Sequence, residues 1–236
     1  MALRILVMAV LAAFAEAAAA QEPPSSVFKL TTGRYSFSDD TAAWDVNLRN
    51  QSALGNAWVG YFHVDGGNVN QWRTGWDSSY GSAVRLSPSL QLASGGFAGG
   101  SVQVETGESW FAGAGFGRTN LRPYWNLNFD PNDSYMVSAG YRGAEERTVM
   151  LLLVRDNRQN PDQQHVHLFW RQRLPAGDRV SVDILRKTGT VDDQYIRRWG
   201  LTLTYDWPRY FVRVAYDPKT NFTAVDALRL SVGTRF

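Results

Sequence analysis

The sequence predicts an all-β fold: one antiparallel transmembrane β-barrel of fourteen strands, with twelve as the alternative, following a cleaved leader. Three observations predict it. The chain starts like an exported protein, the rest alternates apolar and polar residues with period two, and the polar faces are Arg, Asp, Asn, Ser, Thr and Gly rather than Lys and Glu.

The leader comes first. Met1 to Ala20 reads MALRILVMAVLAAFAEAAAA, with a basic Arg4, an apolar stretch from Ile5 to Phe14 and small residues up to Ala18–Ala20, which is the form of a cleaved signal peptide. As a membrane anchor it is too short, and Glu16 and Glu22-Pro23-Pro24 follow it. Its removal leaves 216 of the 236 residues, 21–236, enough for one large domain. There is no cysteine, so a disulfide framework and thiolate metal sites are both excluded. Beyond the leader the longest apolar run is Val149 to Val154, against the roughly 20 residues that a spanning helix needs. If this chain lives in a membrane, it crosses it with strands.

From a first strand starting near Val27, the alternation runs segment by segment. In 42–49, Ala42, Trp44, Val46 and Leu48 oppose Ala43, Asp45, Asn47 and Arg49. In 58–65, Trp58, Gly60, Phe62 and Val64 oppose Val59, Tyr61, His63 and Asp65. In 83–93, Val84, Leu86, Leu90 and Leu92 oppose Arg85, Ser87, Ser89 and Gln91. The clean segment 121–130 sets Leu121, Pro123, Trp125, Leu127 and Phe129 against Arg122, Tyr124, Asn126, Asn128 and Asp130. Tyr135, Val137, Ala139 and Tyr141 form the next apolar face, then Val166, Leu168 and Trp170 facing away from His165, His167, Arg171 and Arg173. Trp199, Leu201, Leu203 and Tyr205 follow, then Tyr210, Val212, Val214 and Tyr216. The last segment sets Leu228, Leu230, Val232 and Phe236 against Arg229, Ser231, Gly233 and Arg235.

Turns separate these segments for stereochemical reasons: Asp39-Asp40, Asp65-Gly66-Gly67-Asn68, Thr106-Gly107-Glu108, Asp130-Pro131-Asn132-Asp133, Pro175-Ala176-Gly177-Asp178 and Asp206-Trp207-Pro208. Longer connections are expected at 156–164, 188–194 and 217–226, alternating with short turns, as external loops alternate with periplasmic turns. The glycines at 95, 96, 99, 100, 113, 115 and 117 weaken the pattern over 78–118. About fifteen candidate strands result, and closure with an even number reduces them to fourteen or twelve. Trp44, Trp58, Trp110, Trp207 and Tyr216, near segment ends, suit interfacial aromatic girdles.

Charge bounds the partners. The 24 basic and 22 acidic residues nearly balance, which gives no case for nucleic-acid binding. After the leader there are twenty Arg and three Lys (Lys29, Lys187 and Lys219), a bias toward charges held in fixed geometry. Aromatics are abundant, yet mean hydropathy is negative.

With the exported leader, the alternation throughout and a final strand ending in Phe236, the chain resembles bacterial outer-membrane β-barrel proteins over essentially all of 27–236. The resemblance implies location in the outer membrane, both termini periplasmic, contact with its lipids and lipopolysaccharide, and a terminal Phe236 read by the barrel-assembly machinery. Mature length and the Arg-rich polar face are similar to small porins for acidic oligosaccharides, but no porin-specific motif is present.

The candidate lumen-lining and solute-binding residues are Arg49, Arg73, Arg85, Arg122, Arg142, Arg171, Arg173, Arg198, Arg213 and Arg229, with Arg235 on the same face. They would line a water-filled conduit with a mild preference for small anionic solutes. Alternatively, they pair with Asp45, Asp65, Asp77, Glu105, Asp130, Asp183, Asp206 and Asp217 and fill the lumen with salt bridges. Twelve to fourteen strands leave room for a channel unless something plugs it. A lipid- or glycan-acting enzyme is the other alternative, but no His-x-Ser pair of the barrel hydrolases occurs, and no catalytic residue or cofactor is expected. His63 with Asp65 and Asp77 would make a carboxylate-oriented base. His165 and His167, beside Asp162 and Gln163, offer two metal ligands at strand spacing; with no third ligand specified, no metal is expected.

Overall fold

A computed structural model of the chain describes residues 27–67, 69–125 and 130–236. The expected leader and the 126–129 part of the expected 121–130 strand lie outside these residues. Fourteen strands form: β1 Val27–Phe37, β2 Ala42–Ser52, β3 Gly55–Val64, β4 Asn70–Asp77, β5 Val84–Ala93, β6 Phe97–Gly107, β7 Trp110–Thr119, β8 Ser134–Arg142, β9 Thr148–Asp156, β10 Gln164–Arg173, β11 Arg179–Val191, β12 Gln194–Asp206, β13 Tyr210–Asp217 and β14 Ala227–Arg235. Each pairs with its sequence neighbour, and β1 pairs antiparallel with β14 from Lys29↔Arg235 to Phe37↔Ala227. The ring is closed, so no strand edge is left to pair with another chain.

Register divides each strand into two faces, because directly paired residues share a side. On β11 and β12, Val182↔Leu203 and Ile184↔Leu201 lie on one side, while Asp183↔Thr202 and Arg179↔Asp206 lie on the other. The first set is exposed and the second is shielded by the lumen. Leu90 (61 % exposed), Val137 (56 %) and Leu203 (47 %) belong to one apolar outer belt, bordered by Trp72, Trp110, Trp199, Tyr195, Tyr210 and Trp207. Apolar outside and polar inside is the arrangement that hydrocarbon requires, so the barrel is a membrane barrel with aromatic girdles. Trp44, Trp110, Trp207 and Tyr216 are among the exposed aromatics, as expected.

Several expectations are corrected. In β3 the faces are reversed: Trp58, Gly60, Phe62 and Val64 share the inner side with Arg49, Asn47, Asp45 and Ala43, and His63 pairs with the outward Trp44. Trp58 is therefore no girdle residue. The reason is packing, since Phe62 is fully buried in a lumen cluster with Tyr35, Phe37, Ala43 and Ala227. Residues 121–125 form no strand. Leu121 takes a left-handed φ of 59°, and the chain turns into the barrel. The expected loop at 188–194 is instead a tight hairpin, because Asp192 (φ 48°) and Asp193 (φ 62°) both adopt the positive φ of a two-residue type I′ turn.

The glycine-rich stretch does form strands. Gly113, Gly115 and Gly117 face Glu105, Gln103 and Ser101 across the β6–β7 ladder on the inner side, so beyond the buried Phe111 the middle of β7 presents almost no bulk to the lumen. A Cβ on Gly115 would stand 2.7 Å from Gln103 Cγ. Connections of both lengths occur at the end opposite the termini, which carries the long segments before β8, β10 and β14 along with the two-residue Asp192-Asp193 turn.

Candidate functional site

Two arrangements occupy the lumen: a basic chamber on one wall and a strap that reaches in from the loop end. The chamber has a volume of about 360 Å³ and is formed by β10–β14 with β1. Six basic side chains line it (Lys29, Arg171, Arg179, Arg213, Arg229 and Arg235) against three carboxylates, Asp183, Asp206 and Asp217. Arg235 pairs with Asp206 at 2.7 Å and Arg179 with Glu146 at 2.9 Å, while Arg173 also meets Glu146. Arg213 donates instead to Thr204 Oγ1 (3.1 Å) and Arg171 to Ser181 Oγ (3.4 Å). Arg229 donates to the Tyr35 hydroxyl at 3.3 Å. Arg171 and Arg213 thus donate to hydroxyls rather than to a carboxylate in direct contact, which leaves positive charge facing the cavity.

The opposite wall is neutralised. Asp45 holds the buried Arg73, Asp77 lies 3.4 Å from Arg49, and Glu105 bridges Arg85 (3.1 Å) and Arg142 (2.7 Å). Net positive charge therefore collects on the β10–β14 side. Of the sequence-predicted arginines, Arg49, Arg73, Arg85, Arg142, Arg171, Arg173, Arg198, Arg213 and Arg229 stand on inner strand faces. Arg122 does not, because it lies exposed in the segment that leaves the wall after β7. Asp65 is likewise no lumen acid, since it sits in the β3–β4 turn and pairs with the outer Arg34 at 2.5 Å. Phe236 stacks on Phe28 with centroids 5.9 Å apart, and the two residues exchange backbone hydrogen bonds of 2.8 and 3.0 Å.

The strap is the connection between β7 and β8, described at 120–125 and again at 130–133. Tyr124 stacks on Phe97 at 4.1 Å, and Trp125 stacks on Phe62 at 5.0 Å and meets the edge of Phe37. The buried Gln71 clasps its backbone, donating to Pro123 O (3.0 Å) and accepting from Trp125 N (2.9 Å). Side-chain amide groups here replace the strand partners that this backbone has given up. Five residues on, Asp130 Oδ1 meets His165 Nδ1 (2.7 Å) and His167 Nε2 (3.0 Å) on β10. In the ring order β3 and β10 are seven strands apart, so Trp125 and Asp130 are anchored on opposite walls. Burial opposes ionisation of Asp130, but the hydrogen bonds from His165 and His167 outweigh it and hold the carboxyl well below the usual range. Asp133 ties the strap's exit to Thr119 N (3.1 Å) and Arg158 (3.3 Å).

Behind the histidines, Lys187 is fully buried and donates to Asp217 Oδ1 (2.8 Å), Asp217 Oδ2 (2.9 Å) and Pro218 O (3.0 Å). Phe222, from a short 3-10 turn at Thr220–Phe222, stacks on His165 at 5.2 Å. Sequence reading offered His165 and His167 as a ligand pair and Asp130 as an interior acid without joining them, and it missed the roles of Lys187, Gln71 and Trp125. One signal for Lys187 was present: a lysine on an interior face otherwise dominated by arginines marks a compact charge with three donors converging on a point. The expected His63 constellation is only half assembled, with His63 Nε2 3.9 Å from Asp65 and Asp77 on the other side of the wall. His63 contacts Asn70 (2.5 Å) on the outer face, whereas Asp77 lies inside, bonded to Asn56 at 2.6 Å.

An apolar exterior, a closed antiparallel ring and a charged interior define the fold of a bacterial outer-membrane β-barrel. Among solved structures, the chain is similar to the Acinetobacter baumannii outer membrane protein Omp33, with a TM-score of 0.55 and 11 % identity over 89 % of this chain and 97 % of that one. It also matches Salmonella typhi OmpF in complex with daunomycin (TM-score 0.48, 10 % identity, 90 % and 97 % covered) and mutants of the Rh. blastica porin, one with a TM-score of 0.48, 11 % identity, and 91 % and 100 % covered. No protein-family model and no curated protein sequence matches.

Proposed function

We propose that this barrel is a porin-like channel with a mild preference for small anionic solutes, narrowed by the 120–133 strap. The observation that carries the reading is the chamber's excess of six basic over three acidic side chains. Low-dielectric walls focus such a field and raise the local concentration of anions. Assembly into the outer membrane would use the terminal strand with its Phe236.

Planar-bilayer recordings of the purified protein under a salt gradient test the function. The reversal potential is expected to show anion preference, and replacing both Arg171 and Arg213 with Glu is expected to shift it toward cations. Absence of discrete openings, or selectivity unmoved by the double substitution, would overturn the anion-channel reading.

A second reading, a closed structural barrel, is favoured by the strap's anchorage on both walls. It predicts no conductance in the intact protein and openings only after the strap is shortened.

A further inference from the structure

The strap anchor has the composition of a metal site. One ligand atom from each of Asp130, His165 and His167 lies within 4.8 Å of the others, where the chain after β7 meets β10. His165 is fully buried and His167 is 9 % exposed. Behind His167, Asp183 places its two carboxylate oxygens 3.0 and 3.1 Å from Nδ1. A carboxylate on the far nitrogen of a histidine is the support that metal-binding imidazoles require, because it sets the tautomer and turns Nε2 toward the ion.

We propose that Asp130, His165 and His167 bind one divalent transition-metal ion of the zinc class, with Asp183 positioning His167. Two imidazoles and one carboxylate suit zinc-type ions rather than calcium or magnesium. Bonds of about 2.0–2.1 Å at tetrahedral angles set ligand atoms about 3.4 Å apart. The present separations of 2.7 and 3.0 Å from Asp130 are those of direct hydrogen bonds and would open by about 0.7 and 0.4 Å as an ion took the place of the shared protons. The ion has an entry path, since His167 and Asp183 line the basic chamber. Bound there, it fastens the strap to β10. The proposal does not depend on conduction.

The test uses the full barrel folded in detergent and stripped with chelator. Cobalt(II) is titrated in and its visible absorption followed, with zinc(II) added in competition. One equivalent is expected to give the intense band of a low-coordinate cobalt site, and zinc is expected to abolish it. Asp130→Asn and His165→Ala are each expected to lose the band, Asp183→Asn to weaken binding by roughly 10–100-fold, and His63→Ala on the outer face to bind like the unaltered protein. Folding of each variant is checked by its heat-modifiable migration on gels. A featureless titration of the unaltered protein, or a folded His165→Ala that binds equally well, overturns the site.

Discussion

At the scale of single residues, the lumen is a place where charge must be matched. Arg73 and Asp45 face each other with side-chain exposures of 4 % and 11 %, so neither has water to fall back on. Arg73→Ala should leave an uncompensated buried carboxylate and cost about 3–5 kcal/mol, whereas replacing both partners by apolar residues of similar volume should be close to neutral. Urea unfolding in detergent measures the difference, and equal losses in the two variants would contradict the pairing. Pairing of this kind was legible only as a list of eleven inner arginines and eight acids. Which arginine meets which acid is set by register: Arg73 reaches Asp45 because Gly60, between them on β3, has no side chain to intervene.

At the scale of elements, turns and the strap carry the information. The hairpin between β11 and β12 places Asp192 and Asp193 at positive φ, where a residue without Cβ is relaxed. Asp193→Gly should stabilise the hairpin by on the order of 1 kcal/mol, read as slower amide exchange at the ends of β11 and β12. The strap depends on Gln71, whose amide satisfies both a carbonyl and an N–H of the inward chain. Gln71→Leu should leave these groups unpaired at a cost of about 1–3 kcal/mol and expose 120–133 to protease; unchanged cleavage would show that the clasp does not hold it. The inward course of 121–125 escaped sequence reading because these residues begin a segment that alternates like the neighbouring strands. What withdraws them from the wall is aromatic pockets on Phe62 and Phe97, which no local pattern announces.

At the scale of the molecule, the outer belt answers to lipid and the interior to itself. Leu203 lies on β12 between Leu201 and Tyr205, paired with the outward Val182 and Val214. Leu203→Arg should cost about 2–4 kcal/mol as a midplane charge, while the same change at Tyr195, near the rim, should cost about 0–1. Folding titrations in lipid vesicles compare the two. Equal costs would contradict the proposed belt.

The alternation of β12 to β14 determined, without further help, that these strands belong to a barrel with its apolar side outward, because a strand's period of two is a local property and hydrocarbon accepts one face only. Tertiary structure decided what fills the middle. The inward face of β3, the seat of Trp125 on Phe62 and the grouping of Asp130 with His165 and His167 join residues that lie far apart in sequence. Their energies come from contacts across the lumen, which adjacency in sequence does not encode.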